Sequence, residues 1–233
     1  LLAANILIMV TLSLTVPLLI NIILPMFGID LRGSVDLSSL VWALDFGFGG
    51  AFISLAFSKQ MARAMLDCRQ ITQPRSQAEQ VVYGAVQEIA QRLHITMPEV
   101  WVYESPDPNA FATGPSKNNS MVAVSTGLLS HLQEQEVRAV LAHEMGHVYN
   151  GDMFATTVLA GLMNTFVYYI AMWVRRFFAE RDQVALGFGL SIVLQIVVSI
   201  LASVLICWFS RQREYGADAF SAKVYGKDSM ISA

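Results

Sequence analysis

Residues 141–147 read Leu141-Ala142-His143-Glu144-Met145-Gly146-His147, a His-Glu-x-x-His motif in a helical context. Apolar residues repeat at helical spacing over residues 134–149, and a glycine follows at position 151 as a stop signal. Two histidines four residues apart lie on one helix face and can both reach one tetrahedral metal. The motif therefore predicts a zinc site on His143 and His147, with Glu144 as the general base beside its open position.

A structural interpretation of the same motif also has to be weighed. A buried helix can carry two histidines as packed, hydrogen-bonded core groups, and three fixed residues in five occur by chance. A third ligand farther along the chain, together with a path that returns it to the same place, would favour the metal site.

The composition predicts an integral membrane protein. Of the 233 residues, 55% are hydrophobic and only 14% are charged, and the formal net charge is −3. No basic run and no glycine-rich phosphate loop is present, so we expect no nucleic-acid partner. Cys68 and Cys207 have neither disulfide nor metal spacing and are interpreted as structural thiols.

Four apolar stretches are long enough to cross roughly 30 Å of hydrocarbon as helices. They are residues 1–27, 40–57, 153–174 and 186–209. Four basic residues directly follow the second stretch, namely Lys59, Arg63, Arg69 and Arg75. The positive-inside tendency therefore predicts that the region after residue 58 is cytoplasmic.

The polar region between the second and third stretches predicts a small α+β domain. Residues 78–93 show helical periodicity, residues 100–103 and 121–125 have strand composition, and residues 109–113 are a weaker strand candidate. The domains that we expect are residues 1–58 as two transmembrane helices with a short connecting loop, residues 59–152 as a cytoplasmic domain with the motif helix, residues 153–209 as a transmembrane hairpin and residues 210–233 as a cytoplasmic helix.

A candidate third ligand lies just after the last apolar stretch. Residues 210–219 read Ser-Arg-Gln-Arg-Glu-Tyr-Gly-Ala-Asp-Ala, which places Glu214 and Asp218 on one face of a helix. The alternative is a solvated helix face whose carboxylates pair with neighbouring arginines. Zinc holds its ligands at about 2 Å, so the number of membrane crossings between His147 and Glu214 must be even. Two stretches intervene, so we predict Glu214 as the third ligand and Asp218 as a group that steadies a histidine.

Other ligand schemes fit the sequence less well. A metzincin would carry a third histidine six residues after His147, but Met153 stands there. Both His94 and His131 are interpreted as surface groups. Asp152 follows the helix-ending glycine and is interpreted as a helix cap or as another group that steadies a histidine. Ligands so close to membrane ends predict a metal site at the membrane surface and membrane-associated substrates.

Several separated motifs resemble one family, the HtpX-type bacterial heat-shock membrane metalloproteases, which are relatives of the CAAX prenyl proteases. The similarity covers nearly the whole chain. It rests on Phe46-Gly47-Phe48-Gly49-Gly50, Gln73-Pro74-Arg75, Asn109-Ala110-Phe111-Ala112-Thr113-Gly114, Val122-Ala123-Val124-Ser125-Thr126-Gly127, the His143 to His147 motif, and Arg213-Glu214 with Ala217-Asp218.

The resemblance implies a zincin-like, zinc-dependent endoprotease of the bacterial inner membrane whose active site faces the cytoplasm. It implies cleavage of damaged or misassembled membrane proteins in quality control, with unfolded or membrane-associated polypeptides and the lipid bilayer as partners. Zinc would lie on His143, His147 and Glu214, with Glu144 as the base. Substrate backbone would pair along Asn109, Ala110, Phe111, Ala112 and Thr113. Family members continue beyond a position like Ala233, and the chain opens at Leu1, so we expect further residues at both ends.

Two other functions stay open from the sequence. One is a non-catalytic membrane chaperone or assembly factor whose metal only fastens the soluble domain to the hairpin, although an intact Glu144 argues against it. The other is a prenyl-peptide protease. For an oxyanion donor, only Tyr215 or Arg213 can be nominated.

Overall fold

The computed structural model describes residue 18, residues 22–26, residue 28 and residues 37–226. The first predicted span, residues 1–27, lies mostly outside the described residues, and within it a three-residue helical segment, Leu24–Met26, is described. The count of four transmembrane helices therefore stays a prediction. The chain divides into two compact units, unit 1 with residues 1–53 and 157–207 and unit 2 with residues 54–156 and 208–233.

The described part of the chain contains seven longer helices and four strands. The helices are α1 (Leu37–Ala56), α2 (Ser58–Leu66), α3 (Gln77–Arg92), α4 (Thr126–His131), α5 (Glu134–Asn150), α6 (Asp152–Ala179) and α7 (Val184–Tyr225). The strands are β1 (Arg69–Gln70), β2 (Glu99–Tyr103), β3 (Ala110–Ser116) and β4 (Asn119–Ser125). This confirms a mixed helix and sheet fold.

Three of the described helices, α1, α6 and α7, are long and apolar enough to cross a membrane. Helix α6 runs on to Ala179, five residues beyond the predicted span at 153–174. Arginine is a good helix former, so a charged end does not stop a helix. The predicted span at 186–209 and the predicted helix after it form one continuous helix, α7, since no proline or other stop signal separates them.

Close helix packing organises unit 1. A Cβ atom added at Gly47 of α1 would lie 2.4 Å from Oγ1 of Thr165 on α6. A Cβ atom added at Gly161 of α6 would lie 2.4 Å from Cδ1 of Phe48 on α1. The two helices therefore approach each other at small residues, as interfaces in membranes commonly require.

Unit 2 is built on a four-stranded sheet with the order β1-β2-β4-β3. Strand β4 is central, pairs in parallel with β2 and antiparallel with β3, and buries all its residues after Asn119. Strand β3 forms an edge. The strand candidate at 109–113 was too short, because β3 runs on through Gly114 and Pro115 to Ser116. A proline is tolerated there because an edge strand has one side without ladder hydrogen bonds.

Helices cover both faces of this sheet. On one face, α3 and α5 form the main core with the inward residues of β2 and β4, among them Val86, Val122, Leu141 and Met145. On the other face, Ala62 of α2 packs with Phe111 and Met121. Helix α2, strand β1 and helix α4 were missed from the sequence, because none is long enough to show a clear period.

Candidate metal centre and active site

The two histidines of the motif lie one helical turn apart on α5 and face each other. Their Nε2 atoms are 3.2 Å apart, and their rings meet edge to face with centroids 4.8 Å apart. Helix α5 begins where the backbone N–H of Gln133 donates to the Glu136 carboxylate at 2.8 Å. It ends at Gly151, whose φ of 71° is readily adopted only by glycine.

Glu214 of α7 completes a cluster with the two histidines. Its Oε2 atom lies 3.2 Å from Nε2 of His143 and 3.4 Å from Nε2 of His147. Ligand atoms held about 2.0 Å from zinc at tetrahedral angles are separated by about 3.3 Å. The three separations in this cluster match that edge length, and the donor set of two imidazoles and one carboxylate is one that catalytic zinc sites use. The residues present therefore fit the ion.

Among the described residues, this is the one group of three or more metal-binding side chains close enough to share an ion. His131 is not part of it, since its Nδ1 atom contacts the backbone oxygen of Gly127 at 2.7 Å. The structure thus brings together the three residues that the sequence named as ligands.

A glycine inside the motif lets α7 approach α5. A Cβ atom added at Gly146 would lie 3.2 Å from Cδ1 of Phe220 and 3.3 Å from Cα of Ala217. The buried hydroxyl of Ser221 donates to the backbone oxygen of Ala139 at 2.7 Å. These contacts fix the register of α7 against α5 and so carry Glu214 to the histidines. No local pattern in the sequence indicates this role of Gly146.

Each histidine also has an aspartate beside its second ring nitrogen. Nδ1 of His147 lies 2.6 Å from Oδ2 of Asp152, whose side chain is only 10% exposed. Nδ1 of His143 lies 2.9 Å from Oδ1 of Asp218, whose side chain is 49% exposed. His143 and Asp218 are within ion-pair distance, but the angle between them is not that of a hydrogen bond. Nδ1 of His143 therefore has no hydrogen-bond partner among the described residues. A carboxylate in such a position orients the ring and sets its tautomer.

Arg213 fastens α7 to the beginning of α6. Its Nη1 group donates to the backbone oxygen of Asp152 at 2.8 Å and to the hydroxyl of Thr156, and its guanidinium lies 5.4 Å from the ring centroid of Phe209. Because Nη1 of Arg213 is hydrogen-bonded to α6, this side chain holds α6 and α7 together and is not placed as the oxyanion donor that the sequence suggested. The side chain of the other nominee, Tyr215, is exposed.

Glu144 lies between the two histidines in sequence and has an unusual environment. Burial is the largest influence on its carboxyl group and raises its pKa above the ordinary value. The charges of His143 and His147 and a hydrogen bond from the backbone N–H of Ala112 act in the opposite direction without cancelling that rise. A carboxylate with a raised pKa is a better proton acceptor near neutral pH.

The strand segment predicted to bind substrate is the outer edge of the sheet, next to α5. The backbone oxygen of Asn109, just before β3, accepts from the N–H of Ser125 at 2.9 Å. The direction of the backbone N–H and C=O groups alternates along an antiparallel pair. The backbone groups of Phe111 and Thr113 therefore also point toward β4. The N–H and C=O groups of Ala110 and Ala112 therefore point away from the sheet. The N–H of Ala112 is the group that lowers the pKa of Glu144 as a hydrogen-bond donor.

Comparison with known sequences identifies relatives over nearly the whole chain. The profile of peptidase family M48 matches residues 76–232. A protease HtpX of Idiomarina loihiensis is 47% identical over 225 residues, which are 94% of this chain and 78% of that protein. A protease HtpX of Tolumonas auensis is 46% identical over 242 residues, covering 100% of this chain and 81% of that protein.

Comparison with solved structures finds the same fold in a more distant protein. The crystal structure of S. mikatae Ste24p superposes with a TM-score of 0.64 at 17% sequence identity. The match covers 95% of this chain and 56% of that one, so this chain spans little more than half of the larger protein. At this identity the similarity shows the fold alone.

Proposed function

We infer the function from one premise: the chain belongs to peptidase family M48 and is a membrane metalloprotease. We propose that its metal is zinc and that it is an endoprotease that cleaves damaged or misfolded membrane proteins in membrane quality control. The observation that carries the proposal is the triangle of donor atoms from His143, His147 and Glu214, with sides of 3.2 to 3.4 Å.

In this proposal the two imidazoles and Glu214 hold the ion, and two aspartates orient the imidazoles. Asp152 fixes the ring of His147, and Asp218 lies beside the ring of His143. When bound, zinc supplies a Lewis acid that lowers the pKa of water and polarises a carbonyl group.

We propose Glu144 as the general base and acid of the reaction. Its carboxylate accepts a proton from the attacking water and delivers that proton to the departing amine. Burial raises its pKa, which favours both the uptake and the later release of the proton near neutral pH.

We propose that substrate binds in extended form along Asn109, Ala110, Phe111, Ala112 and Thr113. The outward N–H and C=O groups of Ala110 and the outward C=O group of Ala112 are free of the sheet ladder, so they are the groups that can pair with a substrate strand. Pairing through backbone groups selects little for side-chain identity. It therefore favours segments that are already unfolded and a broad range of sequences.

The same proposal assigns the chain to the bacterial inner membrane, with unit 2 and its active site in the cytoplasm. Its support is the run of basic residues after α1, Lys59, Arg63, Arg69 and Arg75. In this topology residues 1–58 and 153–209 contain the membrane spans, and residues 59–152 and 210–233 form the protease domain. His147 lies five residues before α6 begins, so substrates that are membrane-associated reach the site readily.

The test is the Glu144→Gln variant, which keeps the side-chain volume but cannot accept a proton. We expect it to retain zinc and to lose about 10²- to 10⁴-fold in the rate of cleavage of reduced, denatured casein in detergent. The matched control is Glu134→Gln on the same helix, which should cleave at the parental rate. A Glu144→Gln protein that holds zinc and cleaves at the parental rate would falsify the assigned role.

The prenyl-peptide alternative is separated in the same assay. Comparison of a farnesylated peptide with its unmodified counterpart measures whether the lipid is required. The proposed function predicts cleavage of unmodified, unfolded protein, and strict dependence on the lipid would contradict it.

A further inference from the structure

Unit 1 contains a cavity that has no role in the chemistry above. It has a volume of about 290 Å³ and lies among α1, α6 and α7. Its walls are mostly apolar, and Arg175 and Gln195 are the charged and amide residues among them. The lining residues are Phe46, Tyr168, Ala171, Met172, Arg175 and Gln195.

The guanidinium of Arg175 is held in a fixed direction. Its Nε group donates to the hydroxyl of Ser191 at 2.8 Å, and its Cζ lies 5.0 Å from the ring centroid of Phe188. The same hydroxyl donates to the backbone oxygen of Phe188 at 2.7 Å, and Ser191 is fully buried. These contacts use one edge of the guanidinium and leave the two Nη groups as donors.

Within the part of the chain that the structure describes, no carboxylate pairs with Arg175. The neighbouring arginines differ, since Arg176 pairs with Glu180 at 3.2 Å and Arg181 lies 3.6 Å from the ring centroid of Phe177. Arg175 follows the apolar stretch 153–174 directly, and its side chain is exposed near the end of α6. The positive charge of Arg175 is therefore accessible to an anion at the end of the span.

The polarity of the cavity changes along the helix axis. Arg175 lies four residues before the end of α6, about 6 Å from that end at about 1.5 Å per residue. Tyr168 lies two turns farther into the span, about 10 Å from Arg175, where Phe46 contacts it edge to face at 6.4 Å. The charged end of the cavity is thus near the end of the helix, and its aromatic end is deeper in the apolar part.

We propose that this cavity binds an anionic phospholipid. The two Nη groups of Arg175 are suited to a bidentate contact with the phosphate of such a headgroup. Gln195 donates to the backbone oxygen of Ser191 at 3.2 Å, which leaves its carbonyl oxygen to accept from a headgroup hydroxyl. Phe46, Tyr168 and Met172 contact the first part of an acyl chain.

The experiment is native mass spectrometry of the full chain released from nanodiscs of equal parts phosphatidylglycerol and phosphatidylcholine. We expect the parental protein to retain phosphatidylglycerol in preference to phosphatidylcholine. Arg175→Gln should reduce that preference at least about tenfold, because loss of even one of the two charge-assisted hydrogen bonds typically produces that factor. The matched control, Arg176→Gln, should retain the parental preference.

A second variant tests the proposal independently, in case Arg175→Gln does not fold. Met172→Trp fills the cavity with Arg175 unchanged and should also lower retention of phosphatidylglycerol, with zinc content as the check that unit 2 is intact. Equal retention by Arg175→Gln, or no preference in the parental protein, would overturn the proposal. Displacement of phosphatidylglycerol by inorganic phosphate would overturn it too, because it would indicate a site for free anions.

Discussion

At the scale of single residues, the two histidines of the metal centre are supported unequally. His147 has an aligned contact of 2.6 Å to an aspartate that is almost buried, whereas His143 has a longer, unaligned contact to an aspartate that is half exposed. Water competes for the exposed carboxylate and screens its charge. Asp152 should therefore contribute more to metal affinity than Asp218.

This ranking is tested by comparing the zinc affinities of Asp152→Asn and Asp218→Asn. Loss of the Asp152 charge should weaken zinc binding about 10- to 100-fold, the usual effect of removing a partner that orients a metal-binding histidine. The loss at Asp218 should be clearly smaller. Zinc affinity is measured by competition with a chromogenic chelator, and thermal unfolding of the zinc-loaded variants checks the fold. An equal or greater loss at Asp218 would contradict the ranking.

At the scale of elements, the centre depends on how closely α5 and α7 pack. Gly146 contacts Ala217 and Phe220, and Ser221 donates to the backbone of α5 one further turn along. Arg213 joins the same segment of α7 to the first turn of α6. These contacts hold α7 against α5 and against the first turn of α6, and so they position Glu214. A displacement of α7 would move this one ligand and leave the two histidines in place.

We therefore expect Gly146→Val to damage the metal site through packing. Its side chain would force α7 away, and overpacking of this kind typically costs about 1–3 kcal/mol of the free energy of unfolding. Zinc affinity should fall together with the midpoint of thermal unfolding. Gly84→Val on α3 is the control, because a Cβ atom there meets nothing within 4 Å. Parental zinc affinity in Gly146→Val would show that the close contact does not position Glu214.

At the scale of the whole molecule, the metal ligands come from two segments separated by the apolar stretches of α6 and α7. The chain leaves unit 2 after residue 156 and returns to it at residue 208. Within unit 1 the two helices form a tight hairpin, since a Cβ atom added at Gly187 would lie 2.7 Å from Cβ of Phe178. An even number of crossings is the arrangement that one shared ion requires.

Much of the site could be predicted because its chemistry depends on spacing. Histidines four residues apart on a helix and a glutamate after an even number of spans are visible in the sequence. The contacts that position them are not, since Gly146 meets Ala217 and Arg213 meets Thr156 only after folding. Contacts between residues far apart in the chain leave no local period.

The elements of the fold also divide into those that a local sequence pattern predicts and those that it does not. The long periodic helix at 134–149 was predicted to within a residue or two, as the structure has Glu134–Asn150. Helix α2, which covers one face of the sheet, was missed because its nine residues are too few to show a clear helical period. The strand candidate at 109–113 stopped short of Ser116, because Gly114 and Pro115 are turn residues in most contexts but are compatible with an edge strand.

The most direct test of the account is the zinc content of the parental protein and of Glu214→Ala, measured by inductively coupled plasma mass spectrometry after dialysis against a weak chelator. We predict about one zinc per chain in the parental protein and in the control Glu180→Ala, and loss of most of the zinc in Glu214→Ala. Glu214 is half exposed, so its replacement leaves the core intact. A Glu214→Ala protein that retains one zinc with parental affinity would contradict the claim that α7 supplies the third ligand.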